Sequence, residues 1–254
     1  MYDLQGFLDE KYKLYNSNWF IDSDPVSIPH LFTKKEDIEI AGFLAATIAW
    51  GNRKSILNNA NKLMQLMDNV PHHFVLNATA KDLKPFSTFV HRTFNGVDCV
   101  YFLKAIKEIY TEHGGMENAF LAGVKKDDTD VGNAIAHFRE LFFLGTHPER
   151  SRKHVSNPLG GSSAKRLCMY LRWMVRKDEF GVDFGIWQKI SPAILSCPLD
   201  VHSGTVARKL GLLQRTQNDW RAVTELTTNL KQFDPADPVK YDFALFGLGV
   251  FEKF

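Results

Sequence analysis

The sequence holds no apolar run long enough to span a membrane, so no membrane partner is expected. Its three cysteines, Cys99, Cys168 and Cys197, stand far apart. They make no CxxC pair, which excludes a disulfide framework and a cysteine-held zinc site. None of the nine histidines, His72-His73 included, sits with acids or cysteines at metal-ligand spacing, so no metal is expected. P-loop, Rossmann and Gly-x-Ser-x-Gly patterns are missing, which argues against the chemistries those loops serve. Convincing apolar–polar alternation is missing too, so no strand is expected. Met1-Tyr2-Asp3-Leu4 shows neither a basic nor an apolar leader region, and a cytoplasmic location is expected. The net charge is only +2, which gives no global attraction to nucleic acid.

What is present is a helical pattern. The 254 residues are 44% hydrophobic, enough for one large domain or two small lobes with a core. Apolar periodicity near 3.6 runs through most of the chain, so the fold class is all-α. Thr33 and Glu36 read as a capping box opening a helix over 37–50. Further helices are expected over 84–93, 162–177 and 200–210, with a short one over 184–189. Asn218 is expected to cap another, and Pro238 to open the last.

Charge is distributed unevenly. Residues 150–177 hold eight basic side chains and no Asp or Glu. Such a stripe can hold phosphates while the molecule stays near neutral; it is equally what a solvated helix face looks like. Inside it lies Gly160-Gly161-Ser162-Ser163-Ala164-Lys165-Arg166. Small residues let backbone N–H groups approach a phosphate, and the helix end behind them favours the anion. On a helical wheel Ala164, Leu167, Cys168, Leu171 and Val175 form the buried stripe. Lys165, Met169, Arg172 and Arg176 fall on another face, that of the basic stripe.

The second informative segment is Pro198-Leu199-Asp200-Val201-His202, running on to Arg208-Lys209-Leu210-Gly211-Leu212. Asp200 reads as a helix N-cap, a sufficient structural reason for an aspartate there. N–H groups that bond a carboxylate also keep it ionised, able to stabilise a developing cation or take a proton.

Together these two segments resemble the helix-hairpin-helix DNA glycosylase superfamily. Its signature is a Gly-x-Gly-x-Lys turn followed by a Val-Asp-x-His-Val-x-Arg-like segment and Leu-Gly-Leu. Ser163 stands at the place of the second glycine, and Lys165 and Asp200 are 35 positions apart. The long spacing and Asp242-Phe243-Ala244-Leu245-Phe246 look like the archaeal 8-oxoguanine glycosylase branch. The whole chain also looks like an uncharacterised bacterial family related to that superfamily. The resemblance is strong over about 160–213 and moderate over 37–67. No cysteine follows Cys197, so the iron–sulfur cluster of some relatives is not expected.

The resemblance implies a two-lobed helical glycosylase-like fold with a helix-hairpin-helix motif. One lobe would span 35–177, the other 1–34 plus 178–254, with the active-site cleft between them. It implies a base-excision enzyme with lyase activity on damaged DNA, acting as a monomer on an oxidised purine such as 8-oxoguanine. Lys165 would be the nucleophile and Asp200 the stabiliser and proton acceptor. Gly160, Gly161, Ser162, Ser163, Arg166 and Arg208 would bind the phosphate, directly or through a monovalent cation. Trp50, Asn52, His202, Asp242 and Phe246 would line the base pocket, although Trp50 and Phe246 also suit a core. A nucleic-acid-binding module without the chemistry, and a helical protein with a protein partner, remain the alternatives.

Overall fold

Helices begin where short polar side chains can satisfy the first free N–H groups, and in the computed structural model, which describes residues 3–254, several helices start this way. Met1 and Tyr2, part of the segment read above as leaderless, lie outside the described residues. In chain order the helices are α1 (Leu4–Tyr15), α2 (Asn18–Ser23), α3 (Lys35–Thr47), α4 (Arg53–Leu66), α5 (Pro71–Asn77), α6 (Gly96–Glu112), α7 (Met116–Leu121), α8 (Gly132–Phe142), α9 (Lys165–Val175), α10 (Val201–Lys209), α11 (Trp220–Lys231) and α12 (Asp242–Val250). Asp3, Asn52, Asn95, Asp200 and Asp219 cap α1, α4, α6, α10 and α11 through side-chain oxygens. The fold is therefore mostly helical, and no helix among the described residues is long and apolar enough to cross a membrane.

Several local expectations need correction. Strands do occur: Val90–His91 pairs antiparallel with Phe94–Asn95 through a turn in which Arg92 has φ +55°. The first of them falls inside the helix expected over 84–93, where only Lys84–Thr88 winds, as a 3-10 helix. The chain is diverted because the start of α6 rests directly on the Ser87 backbone, a contact that a Cβ on Gly96 would block. The capping box at Thr33 does not form. Lys34 is the N-cap and makes no side-chain cap; Glu36 and Asp37 suit the helix dipole instead, and Asp37 accepts from the His72 N–H at 2.8 Å. The short helix over 184–189 is absent. The Phe184 and Trp187 N–H groups donate to the Trp173 and Met174 carbonyls at 2.8 and 2.9 Å, satisfying oxygens that the end of α9 leaves open.

The chain forms two compact units. One comprises the chain up to Ile21, Val124–Asn133 and Asn157–Phe254. Its central element is α12, apolar on almost every side, packed against α1 and α10. Gly247 is required there, because a Cβ would overlap the Tyr15 ring. The α9 helix buries Tyr170, Trp173 and Met174 in the same core.

The other unit comprises Asp22–Gly123 and Ala134–Ser156. Here α3 is buried on every face from Ile38 to Thr47. Phenylalanine rings fill the surroundings: Phe43 lies 5.5 Å from Phe138, which stacks on Phe120 at 4.0 Å. Asp98, fully buried, accepts from Ser151 Oγ at 2.7 Å and from Arg150 at 3.1 Å, fastening the 3-10 helix Glu149–His154 to α6.

The division therefore differs from the expected 35–177 lobe. Residues from Asn157 onward, with the Gly160 turn and α9, group with the C-terminal third. The reason lies at α9, where Arg172 and the C-cap residue Arg176 bond carboxylates as far along the chain as Asp242, 70 positions beyond Arg172.

Candidate active site

The segment before Lys165 is a tight double turn. Pro158–Gly160 forms a 3-10 helix, and Gly161 follows at φ +90°. Nothing lies within 4 Å of where its Cβ would be, so glycine is needed there for the backbone angle alone. A second left-handed residue follows, but at Ala164 (φ +46°), not at Ser163. Ala164 is the N-cap of α9, and its carbonyl accepts from the Leu167 and Cys168 N–H groups. The helix thus begins at Lys165, later than the expected 162, and the amides of Lys165 and Arg166 precede its first internal hydrogen bond.

Asp200 lies opposite. Its Oδ1 accepts from the Ser203 N–H at 3.0 Å, and Ser203 Oγ accepts from the Asp200 N–H at 3.0 Å, a reciprocal capping box. The other carboxylate oxygen, Oδ2, is 3.3 Å from Lys165 Nζ, with both side chains about three-quarters buried (28% and 23% exposed). Burial alone would raise the Asp200 carboxyl. The Lys165 charge and the Ser203 N–H overcome it and hold the group below the usual carboxylate range.

Behind this pair lies a buried ion cluster. Arg172 bonds Asp242 through Nη1 and Asp183 through Nε at 3.2 Å. Arg176 bonds Asp183 at 3.1 Å, Asp237 at 2.9 Å and Asp178 at 2.5 Å. Arg172 and Arg176 are only 4% and 1% exposed, so the basic stripe expected on α9 is not a phosphate-facing surface. Its acidic partners come from beyond the acid-free segment, which is why the local sequence conceals them. Two guanidinium groups face four carboxylates, an excess of acid. Burial pushes the Asp242 carboxyl up to about 6, with the Asp200 charge adding to the effect and Arg172 and Lys165 opposing it.

That shift has a signed consequence. Between an unfolded value near ~4 and the folded value of about 6, the native state binds the extra proton. The Asp242 contribution to stability therefore falls as pH rises through this window, by up to about 1.4 kcal/mol per pH unit. Asp242→Asn removes this contribution. Urea midpoints of both proteins at half-unit steps check it, and equal slopes between pH 4 and 6 would refute the assignment.

A family model described as a protein of unknown function, DUF2400, matches residues 24–251. The chain belongs to this family. No curated protein and no solved structure matches it. The matched segment includes Lys165, Asp200 and Asp242.

The other candidate residues of this DUF2400 chain fall into three groups. Gly160, Gly161, Ser162 and Ser163 form the turn itself, and Arg166 sits half-buried just behind it, its guanidinium lowered by burial to about 10. Arg208 is engaged elsewhere: Nε donates to the Arg215 carbonyl at 2.8 Å and Nη2 to Asn218 Oδ1 at 2.6 Å. Of the pocket residues, Phe246 packs on Phe20 and Phe251 at 5.8 and 6.4 Å, while exposed His202 lines an open cavity of about 240 Å³ with Val201, Thr205, Gly249, Lys253 and Phe254. Trp50 and Asn52 belong to the other compact unit. There Trp50 stacks on His154 at 5.9 Å, and Asn52 caps α4 by accepting from the Ser55 N–H.

Sequence reasoning missed Asp183, the carboxylate shared by both arginines, and Asn218. Asp219, not Asn218, caps α11; the Asn218 amide donates to the Asp200 carbonyl at 3.0 Å. The Ser203 half of the capping box was available as an Asp-x-x-Ser spacing.

The carbonyls of the lysine turn are largely engaged within the chain. Gly161 O accepts from the Trp220 N–H, Pro158 O from the Gly161 N–H, and Asn157 O from the Gly160 and Ser162 N–H groups. That donor set does not make a cation cradle. Among the described residues no group of three or more His, Cys, Asp or Glu is placed to hold a metal.

Proposed function

We propose that this DUF2400 protein is a DNA N-glycosylase with AP lyase activity, of the helix-hairpin-helix kind, acting on an oxidised purine such as 8-oxoguanine. The observation that carries the reading is the Lys165–Asp200 pair: an amine and an ionised carboxylate 3.3 Å apart, each presented by a helix N-terminus. Simple binding has no need of that pairing.

In the proposed reaction the Lys165 amine attacks C1′ of an extruded nucleotide. The new C1′–N bond forms as the glycosidic C1′–N bond breaks, and the base leaves with the bonding electrons and takes up a proton. Asp200 stabilises the positive charge that develops on the sugar and accepts the proton lost by the amine. Asp242, whose carboxyl is raised to about 6, is the nearby acid able to carry a proton for the departing base near neutral pH. Opening of the sugar gives a Schiff base on Lys165. Removal of a C2′ proton then expels the 3′ phosphate and cuts the strand. The backbone N–H groups at the start of α9 would hold a flanking phosphate. No step runs through a metal ion.

The reading is tested by borohydride trapping on a panel of duplexes and single strands carrying oxidised purines and abasic sites. A covalent adduct with at least one lesion, absent on undamaged DNA, is the expected result. Wild-type protein that binds these DNAs but never traps or cleaves would leave only a non-catalytic binding module. Protein without salt-dependent affinity for any of them would remove the nucleic-acid reading altogether.

A further inference from the structure

Two helix N-termini and a lysine ammonium meet around one carboxylate, and the positive ends repel each other. Something must hold the Lys165 turn and the Asp200 cap together against that repulsion. The segment 215–220 touches both. At one end the Asn218 Nδ2 donates to the Asp200 carbonyl at 3.0 Å. At the other, Asp219 pairs with Ser162 in an antiparallel bridge, and the Trp220 N–H donates to the Gly161 carbonyl at 3.1 Å. Thus consecutive residues grip both sides of the reactive pair.

The segment is itself clamped. Arg208, on α10, donates to the Arg215 carbonyl and to Asn218 Oδ1. Arg215 bonds Asp219 through Nε at 2.7 Å and through a second contact from Nη2. Asp219 in turn caps α11 by accepting from the Ala222 N–H at 3.1 Å, which ties the segment to a helix of 12 residues. Room for Asn218 over α10 exists because residue 204 is glycine. A Cβ there would lie 2.9 Å from Arg208 Nη1 and 3.0 Å from Asn218 Oδ1.

We propose that 215–220 is a brace that sets the Lys165–Asp200 distance, with Asn218 as a positioning residue and Arg208 as its support. Its catalytic consequence rests on the glycosylase reading; the geometric claim does not. Arg208 is accordingly a structural support for Asp200, not a phosphate ligand.

Two variants test it by different routes. Asn218→Asp keeps an acceptor for Arg208 but loses the donor to the Asp200 carbonyl. Gly204→Ala removes no functional group and places a better helix former inside α10, while its methyl displaces Asn218. Lys165 acylation by a small amine-reactive reagent, followed by peptide mass spectrometry across pH, reads the pair without DNA. Both variants are expected to label Lys165 at least threefold faster than wild type near neutral pH, with melting temperatures close to wild type. On a lesion that traps, single-turnover rates are expected to fall at least tenfold with DNA affinity unchanged within about twofold.

Unchanged Lys165 labelling and pH profile in both folded variants would overturn the brace, whatever DNA does. Faster labelling combined with a wild type that never traps DNA would leave the brace standing and remove the glycosylase reading. Should Asn218→Asp fail to fold, Gly204→Ala alone decides by the same labelling threshold.

Discussion

Arg176→Met is expected to cost about 3–5 kcal/mol of folding stability, the usual penalty for removing one partner of a buried ion pair. Arg176 is 1% exposed, and its guanidinium bonds Asp178, Asp183 and Asp237 together with the Tyr12 hydroxyl. Removing it leaves Asp178 and Asp237 without that cation and Asp183 with Arg172 alone, beside Phe243, where an uncompensated charge is costly. Methionine fills much of the volume, so the loss reports on charge more than on a cavity. Against a typical net stability of about 5–15 kcal/mol, that is a large fraction of the total. For a chain of this size it lowers the melting temperature by roughly 10 °C.

The same variant has a pH signature. In the wild type, burial works against ionisation of Asp178, but Arg176, Asn16 and the Phe180 N–H together hold its carboxyl below the usual range. Its contribution is therefore present above the unfolded pKa and lost as pH falls through the folded one. Without Arg176 that depression weakens, and mild acid then costs the variant less than it costs the wild type. The stability gap should narrow as pH falls below about 5, where a depressed carboxyl titrates. Urea unfolding at several pH values reads both effects. A loss below about 1 kcal/mol at pH 7 would mean that the cluster is solvated in ways its burial denies.

The helical class was legible because 3.6-residue periodicity is a local property, and so were the Lys165 turn and the Asp200 cap, each contained in a few consecutive residues. Arg172 and Arg176, at the end of α9, were not. A wheel places Arg172 and Arg176 on a polar face, and only Asp183, Asp237 and Asp242, distant in sequence, turn that face inward. The grouping of residues from Asn157 with the C-terminal third was hidden for the same reason. Asn218 reads as an ordinary cap beside Asp219; which of the two caps α11 depends on where the Asp200 carbonyl lies, and no periodicity carries that. Gly161 and Ala164 make the complementary case. The run of small residues signals a turn, but the second left-handed position fell on Ala164, one place later than a Gly-x-Gly pattern suggests.

Replacing Lys165 by alanine is expected to abolish borohydride-trapped adduct completely, because among the described residues no other lysine pairs with Asp200. The decisive partner experiment is Asp200→Asn. As a plain N-cap, asparagine serves about as well as aspartate, so the start of α10 and its bond to Ser203 should survive. What disappears is the negative charge 3.3 Å from Lys165 Nζ. Loss of an electrostatic stabiliser that also accepts the proton should reduce the single-turnover rate by about 10²–10⁴-fold, with DNA affinity little changed. The acid-side stability that the depressed Asp200 carboxyl supplies, present above its unfolded pKa and lost below it, should also vanish. Adduct persisting in Lys165→Ala would move the nucleophile elsewhere. An Asp200→Asn rate within threefold of wild type would reduce Asp200 to a helix cap, and the proposed chemistry would lose its second member. A thermal melt beside each rate separates the two roles of this carboxylate: capping is a property that asparagine keeps, and charge is one that it cannot.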